Sequence, residues 1–319
     1  AIEACNYQEI AALQERSEAL GWTAESYHAK LRELRADYSK ECGVSLAWIL
    51  SADFLHFLHK FTDKEDPTFY DLKEAIFTNV QYASEKVCPR DHQAGCALVD
   101  VLRPHERGRC THFFSWTWAY TTGTLRDAFG RWVKRECLNP ESIFLFCCFF
   151  SNNQYRILYM PESTTAHGSL EKTFDNKIQK IGKVVALIDS YDKPTYLTRI
   201  WTIFEQFTAI KLGVPVQIIM PQSAAESLVD QFRMGEHGIN RVVAALCSVD
   251  CRHAEASVAD DERKVKAMIR DSVGYSEVDS KIRHFMMQWV TSELQDYTRQ
   301  LLAVAEENMY MDMFTYYRS

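Results

Sequence analysis

The sequence lacks the short motifs by which the best-known nucleotide-binding and hydrolytic enzymes are identified. It contains no G-x-G-x-x-G, Walker A, H-E-x-x-H or G-x-S-x-G element. Assignments that depend on a glycine-rich phosphate loop, a zinc-protease helix or a nucleophile elbow therefore have no support. Any chemistry has to be argued from less specific patterns.

Long apolar runs are also missing. The longest, residues 143–150, suits a buried strand and is far too short to span a bilayer. No apolar signal peptide is present at the start. We expect a soluble intracellular protein without a membrane span, of the cytoplasm or of an organelle after removal of a targeting peptide. The first residue, Ala1, leaves that choice open.

An excess of positive charge is absent, because 36 Lys and Arg stand against 43 Asp and Glu and the net charge is −7. The basic residues do not cluster, so we expect no nucleic-acid partner. The ten cysteines form no C-x-x-C pair, and reduced buried thiols are the simpler interpretation. Cys88, His92 and Cys96 offer a weak zinc pattern, which Pro89 and Gly95 disfavour on a continuous helix. We expect neither a bound metal nor a cofactor.

The hydrophobic periodicity divides the 319 residues into three regions. Residues 1–105 show apolar positions at helical spacing, and so do residues 223–319. Residues 106–222 instead contain four short apolar runs separated by helix-like stretches, which is the rhythm of β-α-β units. The runs are "CTHFFSW" (110–116), "SIFLFCCFF" (142–150), "KVVALID" (183–189) and "VPVQIIM" (214–220).

This pattern predicts an α/β fold with a parallel sheet of four to five strands and helical extensions at both ends. For the four runs we predict the order 2-1-3-4 across the sheet, as in flavodoxin-like folds. In such sheets, ligands bind beyond the carboxyl ends of the strands. That rule selects polar and aromatic candidates after the first three runs, namely Ser115, Trp116, Trp118, Asn153, Gln154 and Asp189. The alternative is that Asn, Asp and Ser at these places are turn and capping residues.

The helix after the third run adds Arg199, Trp201 and Glu205. Trp201 and Glu205 are four residues apart and therefore share one helical face. If that face lines a cleft, an aromatic plate and a carboxylate lie side by side in a binding site. We predict one cleft for a polar ligand with a flat ring, and the residues that line it are Ser115, Trp116, Asn153, Asp189, Trp201 and Glu205.

The segment "TRIWTIFEQFTAIKLG" resembles the corresponding helix of TIR domains, in which Trp-Cys-x-x-Glu precedes the last strand. Trp201 and Glu205 keep that spacing, and Thr202 stands where those domains often have Cys. The chain is also similar to TIR-like proteins of algae and other protists, which carry an F-x-S-x-x-W turn and a D-x-x-x-x-x-x-L-T-R-x-W-x-x-x-E segment. The matching residues here are Phe113, Ser115, Trp118, Asp189, Leu197, Thr198, Arg199, Trp201 and Glu205.

The resemblance implies a TIR-like fold and one of two functions. Some TIR domains hydrolyse NAD with a Glu at this helix position, which would make Glu205 the catalytic carboxylate and NAD or a related nucleotide the ligand. Many others are non-catalytic adaptors that self-assemble. Trp116 departs from the pattern of the protist group, which often has a smaller or His-like residue after the Ser.

The last residues favour the adaptor alternative. "ENMYMDMFTYYRS" places Met, Phe and Tyr side chains densely between Met309 and Tyr317. Apolar residues at this density prefer a partner surface to water. We therefore expect this segment to dock on a protein partner, on a second copy or on the N-terminal helices.

Overall fold

The computed structural model describes the backbone of residues 7–160 and 170–318, and the side chains of residues 8–160 and 174–305. The predicted docking of Met309–Tyr317 concerns side chains outside this range. The described part contains fourteen α-helices, which are α1 Tyr7–Ala19, α2 Ala24–Glu41, α3 Leu46–Leu50, α4 Ala52–Leu58, α5 Phe69–Phe77, α6 Thr122–Arg135, α7 Cys148–Ser151, α8 Gln154–Tyr159, α9 Leu170–Ile181, α10 Ile200–Lys211, α11 Gln222–Arg233, α12 Glu236–Leu246, α13 Ala259–Ser272 and α14 Tyr275–Arg318.

One sheet of six strands lies among these helices in the described part of the chain. Its strands are β1 Cys42–Ser45, β2 Arg107–Arg109, β3 His112–Ser115, β4 Phe144–Phe146, β5 Val184–Leu187 and β6 Val216–Ile219. They lie in the order β2-β1-β4-β3-β5-β6. The pairs β4–β3, β3–β5 and β5–β6 are parallel, whereas β1 runs antiparallel to both β2 and β4. The protein is thus an α/β protein with a mostly parallel sheet.

The four strands predicted from the apolar runs are present, and their order β4-β3-β5-β6 is the predicted order 2-1-3-4. The predicted number of four to five strands is wrong, because β1 and β2 bring the sheet to six. β1 comes from the region predicted to be helical throughout. The second run, 142–150, is also only partly a strand, since β4 covers Phe144–Phe146 and α7 follows at once.

Two facing glycines let β1 and β2 join the sheet. Gly43 pairs with Gly108 across these strands. A Cβ on Gly43 would come within 2.6 Å of the Leu145 carbonyl oxygen, and one on Gly108 within 2.7 Å of the Phe144 ring. No side chain fits at either place. The close approach of β4 therefore requires glycine at both positions.

The first of two compact units comprises Ala1–Leu187 and Thr208–Pro221 and contains the whole sheet. Alternate residues of its strands enter two apolar clusters. Phe114 and Val185 belong to the larger cluster, and their neighbours Phe113 and Val184 belong to the smaller one. The central strands are therefore buried on both faces, as is usual for parallel sheets.

The second unit comprises Ile188–Phe207 and Gln222–Ser319, so the division falls inside α10. It contains most of α10 and the helices α11 to α14. Val278, Ile282, Met286 and Val290 form a buried stripe along the first half of α14. The spacing in the sequence predicts one buried stripe of Val278, Ile282, Phe285 and Trp289. Val278 and Ile282 are buried as predicted, whereas Phe285 and Trp289 are only half-buried. No helix in the described residues is both long enough and apolar enough to cross a membrane.

Candidate functional site

The nine predicted site residues fall into two groups, one in each unit. The first unit holds Ser115, Trp116, Trp118, Asn153 and Gln154, and the second holds Asp189, Arg199, Trp201 and Glu205. Each group has its own set of contacts, described in turn.

Ser115 and Trp116 stand at the carboxyl end of β3, and both are buried. The Trp116 ring packs edge-on against Phe69, with 4.4 Å between ring centroids, and stacks on Phe114 at 5.4 Å. Its indole Nε1 is buried and finds no hydrogen-bond partner among the described residues. With an exposed fraction of 5%, Trp116 is part of the aromatic core of its unit and presents no open ring face.

Trp118 and Gln154 meet at Cys148, the first residue of α7. The indole Nε1 of Trp118 donates to Cys148 Sγ at 3.4 Å, and Gln154 Nε2 donates to the Cys148 carbonyl oxygen at 2.7 Å. The Trp118 ring also packs against Phe149, with centroids 5.2 Å apart. These contacts hold α7 and the turn that follows it against the end of β3.

Asn153 acts as the N-cap of α8. Its Oδ1 accepts from the backbone N–H of Arg156 at 3.2 Å, and its Nδ2 donates to the carbonyl oxygen of Gly95 at 2.7 Å. An N-cap of this kind satisfies a helix N–H that has no partner within the helix. The geometry of Asn153 matches the capping alternative.

Asp189 organises the loop that follows β5. Its Oδ1 accepts from the backbone N–H of Thr195 at 2.9 Å, and its Oδ2 accepts from the Thr195 hydroxyl at 2.6 Å. The carboxylate thus closes a loop whose ends are six positions apart, ahead of α10.

Arg199 and Trp201 connect the start of α10 to the segment around α13. Arg199 Nη2 donates to the Ser257 hydroxyl at 2.6 Å. The indole of Trp201 donates to the Asp261 carboxylate. Burial raises the pKa of Asp261, and the hydrogen bond from Trp201 opposes that rise. Both contacts join residues about sixty positions apart, within one unit.

Glu205 follows Trp201 by one helical turn and is 8% exposed. Its neighbours Phe204, Gln206 and Phe207 are buried as well. A carboxylate at this depth is uncommon, because a buried charge is costly unless it has partners or a function. α10 therefore carries a nearly buried acid within an otherwise apolar helix.

Three residues that bear on this region were not identified from the sequence. Ser257 and Asp261 bind Arg199 and Trp201, and no local pattern marks them. Gln206 is fully buried beside Glu205, with both polar ends of its amide unpaired among the described residues. A signal was available in the sequence, because "IWTIFEQF" is apolar on all sides of the helix, which indicates that a polar residue within it is buried.

The weak zinc pattern gains no geometric support. Cys88 and Cys96 are buried, and burial raises the pKa of both thiols, which disfavours the thiolate that zinc requires. His92 is exposed on a turn. Across residues whose side chains are described, no three His, Cys, Asp or Glu side chains are grouped in a way that could hold a metal ion.

Comparisons with known proteins give no relative from which a function could be transferred. No model of a protein family matches the chain, and neither a curated protein nor a solved structure matches it. The function has to be inferred from this chain's own residues.

Proposed function

We propose that this is a TIR-like protein that cleaves the N-glycosidic bond of NAD or a related nucleotide, with Glu205 as the catalytic carboxylate. The observation that carries the proposal is the position of Glu205. Its side chain is 8% exposed, and it follows Trp201 by one turn on α10, the helix that comes after β5 and before β6 in the sequence. Enzymes commonly place a carboxylate in such a low-polarity setting to stabilise a developing positive charge.

Cleavage of the N-glycosidic bond requires few protein groups besides this carboxylate. When the bond between the ribose C1′ and the pyridinium nitrogen breaks, its electron pair neutralises the nitrogen and nicotinamide leaves. The ribose carbon becomes an oxocarbenium-like cation, which the Glu205 carboxylate stabilises or traps as a covalent intermediate. Water then adds to C1′ and gives up a proton. Trp201 supplies a half-buried aromatic surface on the same helical face.

The test is the substitution Glu205→Gln, which keeps the size and hydrogen bonding of the side chain and removes its charge. We expect nicotinamide release from NAD, measured by chromatography, to fall by at least ~100-fold, with folding nearly intact. Glu255→Gln is the matched control, since Glu255 is an exposed carboxylate of the same unit. It should release nicotinamide at the wild-type rate.

Release that persists in Glu205→Gln would remove the catalytic assignment. If Glu205 has a purely structural role, Glu205→Gln should instead lower the free energy of unfolding by about 1–3 kcal/mol, because a buried contact is broken.

The second candidate is a non-catalytic TIR-like subunit that acts through protein–protein contacts. One observation favours it: Leu301, Leu302 and Val304 on α14 are 51%, 60% and 56% exposed. Apolar side chains grouped in this way on a helix mark an interaction surface. No nicotinamide release from concentrated wild-type protein, together with a solution mass above 36.9 kDa by light scattering, would favour this candidate.

A further inference from the structure

Gln206 has an unusual hydrogen-bonding state. The residue is 0% exposed, and neither Oε1 nor Nε2 has a hydrogen-bond partner in the described part of the chain. Among the described side chains it is the only one that leaves both a donor and an acceptor unpaired in this way. A buried polar group without a hydrogen-bond partner destabilises the folded state, and Gln206 has two such groups.

The rest of α10 shows that this state is not general in the helix. Thr202 is also buried one turn earlier, and its hydroxyl lies within hydrogen-bond distance of the backbone carbonyls of Tyr196 and Arg199. A Met or Leu at 206 would fill similar space without the cost of the amide. The amide of Gln206 is therefore unexplained by packing and by local hydrogen bonding.

We propose that Gln206 is a specificity-determining residue that binds a ligand group carrying a C=O and an N–H side by side. A carboxamide or the lactam edge of a nucleobase has this chemistry, and either forms two reciprocal hydrogen bonds with a Gln amide. A phosphate or a carboxylate would satisfy Nε2 alone and leave Oε1 facing a negative charge. The inference rests on the proposed function, because it places the ligand beside Glu205.

The helix geometry allows Glu205 and Gln206 to contact different parts of one ligand. Successive side chains on an α-helix diverge by about 100°, so Glu205 and Gln206 reach different parts of one ligand. Glu205 stabilises the positive charge at the sugar carbon, and Gln206 forms hydrogen bonds with the base that leaves. Because Gln206 is fully buried, binding includes a change of its rotamer, for which the side chain has three torsions. Pairing of the amide in the complex removes its cost and so contributes to selectivity.

The test compares thermal-unfolding midpoints of the full chain, with three probes added in turn: nicotinamide, uracil and nicotinic acid. The midpoint of the wild type should rise with nicotinamide if Gln206 recognises a carboxamide, or with uracil if it recognises a lactam edge. It should not rise with nicotinic acid. Gln206→Met should lose this shift. Without any probe its midpoint should exceed that of the wild type by about 2–4 °C, because the unpaired amide is gone.

Gln231→Met is the matched control, since Gln231 is a buried Gln of α11 in the same unit with an unpaired Oε1. It should keep the probe-induced shift. Gln206→Leu is a second apolar replacement in case the Met side chain does not pack.

Three results would overturn the proposal. They are a lower midpoint for both apolar variants at 206, an equal probe-induced shift in wild type and Gln206→Met, and no shift with nicotinamide or uracil. The readout is binding and stability, so it is separable from the proposed catalysis. Unchanged nicotinamide release in Glu205→Gln would reject the catalytic role of Glu205. The loss or retention of the probe-induced midpoint shift in Gln206→Met would still decide the role of Gln206.

Discussion

The turns around α7 and α8 differ from the buried face of α10 in how their polar side chains are hydrogen-bonded. Around α7 and α8 of the first unit, the side-chain amides of Asn153 and Gln154 donate hydrogen bonds to backbone carbonyls. The Trp116 ring packs against other aromatic rings. On α10 of the second unit, Glu205 and Gln206 lie deep in an apolar helix, and the Gln206 amide has no partner among the described residues. The amides of Asn153 and Gln154 thus have backbone partners, whereas the amide of Gln206 on α10 has none among the described residues. Ligand chemistry is therefore best sought on α10.

The largest effect that tests this comparison is expected from Trp116→Ala. Removing a fully packed indole should lower the free energy of unfolding by about 3–5 kcal/mol, measured by urea denaturation. Trp201→Ala is the counterpart in the second unit, and it should cost clearly less because Trp201 is only half-buried. Equal losses for the two variants would remove the contrast between a core tryptophan and a site tryptophan.

A smaller effect is expected from Asn153→Ala. Loss of the N-cap of α8 and of the hydrogen bond to Gly95 should lower the free energy of unfolding by about 1–2 kcal/mol. Nicotinamide release should not change, because the amide is assigned to structure. Asn152→Ala is the control, since only backbone atoms of Asn152 hydrogen-bond within the described chain. A fall in nicotinamide release without a fall in the free energy of unfolding would indicate that Asn153 binds the ligand.

The smallest effect concerns pH and His112 of β3. Burial, together with the positive charge of the nearby Lys183, lowers the pKa of His112 to about 4. The fold therefore favours neutral imidazole, and its contribution is complete above the ordinary pKa of 6.5 and is lost as pH falls toward 4. Since the ring is only half-buried, we expect a loss of about 1 kcal/mol or less.

His112→Gln should flatten the decline in the urea midpoint between pH 6.5 and 4, and His105→Gln, at an exposed position, should not. The second unit supplies an opposite contribution. The raised pKa of Asp261 gives stability that is present at low pH and lost as pH rises through the folded-state pKa. An unchanged pH profile in His112→Gln would show that His112 is hydrated in solution.

The fold was predictable where several residues repeat a pattern. The four apolar runs predict four of the strands, and the spacing of Val278 and Ile282 predicts the buried face of α14. The order of the four strands came from the analogy to flavodoxin-like folds and agrees with the sheet. β1 and β2 were not predictable, because "CGVS" and "RGR" are too short to show a period of two. Their backbones become strands by pairing with each other and, for β1, with β4. The end of β4 was missed for a related reason, since the apolar run continues unchanged into α7.

The sequence by itself determined which residues stand near the strand ends, and that Trp201 and Glu205 share a face of α10. It also determined the local hydrogen bonds, such as that between Asp189 and Thr195, because six residues of chain already hold the partners close. Only the tertiary structure decided the partners of Arg199 and Trp201, which lie about sixty residues away at Ser257 and Asp261. It alone decided that Gln206 has none among the described residues. The physical reason is that a hydrogen bond requires about 3 Å between donor and acceptor, and distant segments reach that distance only through packing.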